Sequence, residues 1–112
     1  MSGRDGMRFV EKGWGWELWI ENSPLYCGKL LHFAAGKRCS AHYHKLKTET
    51  FYLASGRLIV MLGEHMIELR PGHRLHVPPN TTHQMLAIDD SDLYEFSTQH
   101  FEEDSYRHIK GD

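Results

Sequence analysis

Residues 36–56 read GKRCSAHYHKLKTETFYLASG, from Gly36 to Gly56. Within this stretch His42 and His44 flank a single residue, and Glu49 follows five positions after His44. On a β-strand, side chains at i and i+2 share a face. His42 and His44 therefore aim two imidazoles at one point. An imidazole pair joined by a carboxylate suits a divalent transition ion such as zinc, iron, manganese or nickel. Any histidine-rich strand contains such a pair by chance; the flanking glycines and Glu49 favour the metal.

Outward from this stretch, the chain reads as short strands separated by turn signals. Leu25 to Phe33 alternates, with Leu25, Cys27, Lys29, Leu31 and Phe33 on one face. Thr48 to Leu53 alternates as well, placing Glu49 with Phe51 and Leu53. Ser55-Gly56 reads as a turn, Arg57 to Leu62 as a returning strand, and Gly63-Glu64-His65 as a hairpin tip. Leu75 to Val77 is a short strand stopped by Pro78-Pro79. His83, Met85 and Ala87 share a face of the next strand. Asp89 to Asp92 reads as a charged turn before a last strand, Leu93 to Ser97. No segment sustains a 3.6-residue period. Evenly spaced short strands indicate a sandwich or small barrel. Alternation places Trp14 and Trp16 on one face with Trp19 near an edge, and the three read as core or dimer-interface mass, with a sugar-stacking platform as the alternative.

The spacing of Gly36, His42, His44, Glu49 and Gly56 resembles the first motif of the cupins at every fixed position. Gly72, Pro78 and His83 resemble the second motif. Asn80 replaces its second glycine, and Ala87 replaces its final Asn. Asn tolerates a left-handed backbone, so it can serve in a turn. The resemblance implies an all-β cupin fold, a double-stranded β-helix or jelly-roll barrel. It also implies one divalent metal held by His42, His44, Glu49 and His83. The position of Ala87 is not a ligand position in the family.

A narrower resemblance runs through Trp14-Gly15, Lys29, the histidine motif, Glu49 to Gly56, Glu95, and Glu103-Asp104-Ser105-Tyr106-Arg107. These look like the C-terminal cupin of type II mannose-6-phosphate isomerases. That family usually has Gln where this chain has His42, and Arg where it has Lys47. The first change makes a site of three histidines and one carboxylate, as in many cupins, iron dioxygenases included. The leading expectation is isomerisation or epimerisation of a sugar or sugar phosphate. An Fe(II) dioxygenase and a non-catalytic, metal-dependent sugar-binding module are the alternatives.

Isomerisation needs a base to move a proton between adjacent carbons. Glu95 is the first candidate, with burial expected to raise its pKa, and His76 is the second. Lys29, an ammonium among apolar residues, is a candidate for oxyanion charge or an edge lysine reaching water. Arg107, Arg74 and Lys47 are candidates for a phosphate or carboxylate, or ordinary surface charges.

The 112 residues suffice for one domain with a single core. We expect residues 1–12 to be loose, 13–98 to form the barrel and 99–112 to be a polar tail holding a short helical turn. Net charge is −2 with histidines neutral, which gives no general attraction to nucleic acid or anionic membranes. Two cysteines, Cys27 and Cys39, make no disulfide framework. The absence of an apolar run near Met1 predicts neither a secretory signal nor a membrane span, and hence a cytoplasmic location. A small cupin gains core by pairing, so a homodimer acting on a sugar or small acid is expected.

Overall fold

Alternation decides which face each strand buries. In Cys27–Phe33 the side chains of Cys27, Lys29, Leu31 and Phe33 are buried and those between are half-buried. The structure, a computed structural model, describes residues 6–112. Its strands are β1 (Arg8–Lys12), β2 (Gly15–Asn22), β3 (Cys27–Phe33), β4 (Ala41–Tyr43), β5 (Glu49–Leu62), β6 (His65–Leu69), β7 (Arg74–Val77), β8 (His83–Ser97) and β9 (Tyr106–Ile109). A single 3-10 turn, Glu102–Asp104, precedes β9.

Every strand pairing is antiparallel, and the sheet curls into two layers. The long strands β5 and β8 pair along nearly their whole lengths and pass from one layer to the other. In the first layer β1, β2 and β3 join the C-terminal part of β8, which pairs the start of β5, which pairs β7. In the second, β9 and β4 join the start of β8, beside the end of β5 and β6. This is the all-β jelly roll that the motif spacing implies. Between the layers lie Leu53, Leu58, Val60 and Leu93, each at 0% exposure. Each contributes about 1.5–3 kcal/mol by leaving water.

Several expectations are corrected. Ser55-Gly56 does not reverse the chain, and neither does Asp89 to Asp92. Both lie within continuous strands, where register shifts at Leu53/Ser55, Ser55/Arg57 and Arg57/Leu58 bend β5 against β8. Bulges add an unpaired residue and increase local twist, so polar turn-like residues here mark a layer crossing. Residues 8–12 are not loose but form β1 against β2; residues 1–5 lie outside the described residues. The tail is more than a helical turn, because Tyr106–Ile109 pairs β4. Leu25 lies before β3 and is exposed. Trp14 and Trp16 face opposite ways: Trp14 stacks on buried Phe33, whereas Trp16 stacks on His32. The strand begins only at Gly15, so its alternation does not extend back to Trp14.

Gly56 sits at the β5 crossing with φ +93°, and a Cβ there would meet the Asp90 carbonyl and the Ser91 side chain and backbone. The buried Ser91 hydroxyl fastens the same crossing, accepting from the Arg57 N–H and donating to the Asp89 carbonyl. Gly56→Ala is expected to lower stability by about 2–3 kcal/mol, since left-handed backbone and collision act together. The urea midpoint measures it; an unchanged midpoint would show that the crossing relaxes freely.

Candidate metal centre

His42 lies on β4, His44 just after it, and His83 opens β8. His42 and His83 are direct cross-strand partners. One ring nitrogen from each of the three histidines falls within 4.8 Å of the other two. Glu49 opens β5 from the other layer, and its Oε1 stands 3.5 Å from His44 Nε2 and 3.4 Å from His83 Nε2. The four residues expected from the motifs therefore converge.

The ring tautomers follow from the backbone. Each Nδ1 faces a carbonyl, which can only accept: Ser40 at 2.9 Å for His42, Asp104 at 2.9 Å for His44 and Thr81 at 3.0 Å for His83. Each Nδ1 therefore carries the proton, and each Nε2 presents a lone pair. Burial, the largest cause, holds all three imidazoles neutral. It lowers His42 to about 3 and His44 to about 4, with His83 also lowered. Glu49 Oε1 is buried without a hydrogen-bond partner among the described residues. Lone pairs facing an orphaned carboxylate oxygen suit a divalent cation between them. The residues present fit such an ion.

The cluster opens into a cavity of about 530 Å³. A row of inward side chains crosses its first-layer wall in register: Trp19, Lys29, Glu95 and Phe51. Lys47 and Glu95 are an intimate buried pair. Lys47 Nζ donates to Glu95 Oε2 at 3.0 Å and to His100 Nδ1 at 2.9 Å, and lies 3.4 Å from Glu49 Oε2. Ser97 Oγ also donates to Glu95 Oε2, at 2.8 Å. Burial alone would raise Glu95, as the sequence reading supposed. Lys47 and Lys29 overturn this and hold the carboxyl far below its ordinary range. Glu49 moves the other way, to about 8, through burial and the Glu95 charge, with Lys47 opposing.

The remaining candidates divide. Lys29 and Lys47 are buried in the cavity wall and not at the surface. Arg107, paired in register with His42, is exposed at the cavity rim. His76 and Arg74 do not join the site. They alternate with Leu75 and Val77, so they point outward from β7, and His76 meets Thr50 on that outer face. Two groups escaped the sequence reading. His100 lines the cavity against Trp19 and Lys47. Asp104 supplies the His44 carbonyl, and its carboxylate accepts from the N–H groups of Lys45, Leu46 and Lys47. Its place in the 103–107 motif was the available signal, but the contact spans about sixty residues of chain.

A family model described as a cupin domain matches residues 29–96. A 48-residue segment is 46% identical to quercetin 2,3-dioxygenase of Bacillus subtilis (strain 168), covering 43% of this chain and 14% of that protein. The chain thus spans a small part of that curated relative. The structure resembles KdgF from Halomonas sp., with TM-score 0.77, 18% identity, and 92% and 94% of the two chains covered. It also resembles Bacillus subtilis oxalate decarboxylase, with TM-score 0.82, 13% identity, and 91% and 30% covered. At these identities the structural likenesses establish the fold alone.

His83→Ala removes one donor and is expected to purify with less than about a tenth of the wild-type metal, measured by elemental analysis; full metal content would break the four-residue assignment. A second expectation concerns acid. In the folded, metal-free chain His42 stays neutral until about 3, whereas the ordinary value is 6.5. The unfolded chain therefore binds more protons between those values, and stability falls as pH drops from 6.5. His42→Gln removes that contribution, so its urea midpoint should fall less steeply over this range than that of metal-free wild type.

Proposed function

The chain belongs to the cupin domain family, and from that premise we propose that it is a metal-dependent enzyme that isomerises or epimerises a sugar or sugar derivative. The observation that carries the reading is the convergence of three Nε2 atoms and the orphaned Glu49 Oε1 on a cavity walled by buried charge. His42, His44, Glu49 and His83 would hold one divalent ion. When bound, it would act as a Lewis acid on a substrate carbonyl or hydroxyl.

The proton-moving role falls to Glu95. Its carboxylate stays ionised beside Lys47, and Lys47 and Ser97 both bond Oε2, which leaves Oε1 to accept a substrate proton. Its low basicity makes it a weaker base than burial alone would produce. The residues shared with type II mannose-6-phosphate isomerases, from Glu49 to Gly56 and at Glu95, support the same reaction class.

The protein is further proposed to be cytoplasmic and homodimeric. No helix among the described residues is long and apolar enough to cross a membrane. Ile20, Tyr26, Tyr52 and Phe96 leave an exposed apolar patch on the outer face of the first layer, which a second copy would cover. Trp14 and Trp19 are buried within the protomer, as core mass, and Trp16 is half-buried.

A second reading rests on a different observation. The segment 46% identical to quercetin 2,3-dioxygenase, together with a donor set suited to Fe(II), favours oxygen chemistry. Metal-loaded protein incubated with aldoses, ketoses, their phosphates and the corresponding sugar acids in D2O separates the two. Isomerisation predicts interconversion, with deuterium entering the carbon skeleton, equally in air and without oxygen. Glu95→Gln should lower kcat by about 100-fold or more while metal content holds. Oxygen uptake without sugar interconversion would put the dioxygenase first.

A further inference from the structure

Two buried lysines share the cavity, and only one finds hydrogen-bond acceptors in the protein. Lys47 has three acceptors around its Nζ: Glu95, Glu49 and His100. Lys29 is equally buried, at 3% exposure, and its Nζ makes no hydrogen bond among the described residues. Its nearest carboxylate oxygen, Glu17 Oε1, is 3.8 Å away. That oxygen already accepts from Trp19 Nε1 at 2.7 Å. The cross-strand neighbour of Lys29 is Glu95, whose Oε2 turns to Lys47. The ammonium rests over the Trp19 ring, 4.1 Å from its centroid, with the cavity in front of it.

The Lys29 ammonium opens onto the cavity, so its hydrogen-bond acceptor is water or a group bound there. Five basic and five acidic side chains line the cavity, so a bound divalent ion leaves it with excess positive charge. We propose that Lys29 is the docking point for a carboxylate on the substrate, which makes the substrate a sugar acid or comparable hydroxy acid. This rests on reading the cavity as a substrate site. A carboxylate is preferred over a phosphate because one free ammonium faces it, while Glu17 lies close by. A second negative charge would have no partner there. The indole fixes the ammonium in place, so little side-chain freedom is lost when the anion arrives.

Three sugars that differ only at carbon 6 make the test: D-glucose, D-glucuronate and D-glucose 6-phosphate, titrated into metal-loaded protein by calorimetry. Wild type is expected to bind glucuronate about tenfold or more tighter than glucose, the scale of one charge-assisted contact. Lys29→Met should bring that ratio to about one with metal content unchanged. Glu17→Gln, which removes the nearest acid but keeps Lys29, should widen it. Absence of the preference in wild type overturns the assignment. So does its persistence in a folded, metal-loaded Lys29→Met variant, and so does tighter binding of the 6-phosphate than of glucuronate. Failure of the metal reading is distinguishable, since stripping the ion would then leave the affinities for all three sugars unmoved. Failure of the isomerase reading affects turnover and not these ratios.

Discussion

Four lone-pair donors aimed at one another within a cavity wall repel unless a cation or a proton lies among them. His42, His44 and His83 are held neutral with their Nε2 atoms inward, and Glu49 sets an unpartnered oxygen against two of them. Much of the surrounding structure maintains that confrontation. Three backbone carbonyls pin the Nδ1 protons, so no ring can flip to offer a donor without losing its own bond. The strands place the donors from opposite layers, three from the second and one from the first.

The same economy extends outward. Lys47 sits between Glu49 and Glu95 and holds Glu95 ionised, while burial and the Glu95 charge push Glu49 toward its protonated form. Asp104 holds the loop that carries Lys47 by accepting from three successive backbone N–H groups, and its own carbonyl orients His44. The C-terminal segment is thus part of the centre: β9 pairs β4, and His100 completes the surroundings of Lys47. Loops this heavily bonded serve a site that must hold its geometry.

Strand identity and inward face were legible wherever alternation ran unbroken, as in β3 and in Glu49 to Leu53, because the pleat has a period of two residues. Asn80 adopts the left-handed backbone expected of it, φ 63°, and its N–H donates to the His44 carbonyl. Turns were harder to read. Ser55-Gly56 and Asp89 to Asp92 have the composition of chain reversals, yet they are bends in paired strands. Local chemistry is the same in both cases; what differs is whether a partner strand continues alongside.

The motif resemblance singled out His42, His44, Glu49 and His83, and the fold brings those four side chains together, since imidazole and carboxylate carry their chemistry wherever they sit. Which charged residues belong with them could not be read from the chain. Lys29, Lys47, Arg74, His76 and Arg107 each read as either a site residue or a surface one in the chain, and folding buries the first two, turns the next two outward and leaves Arg107 at the rim. The direction of the Glu95 pKa was likewise decided by neighbours from β3 and the 45–47 loop, with Lys47 lying 48 residues away. Coulombic environment is a sum over space, and only the closed barrel fixes which distant charges enter it.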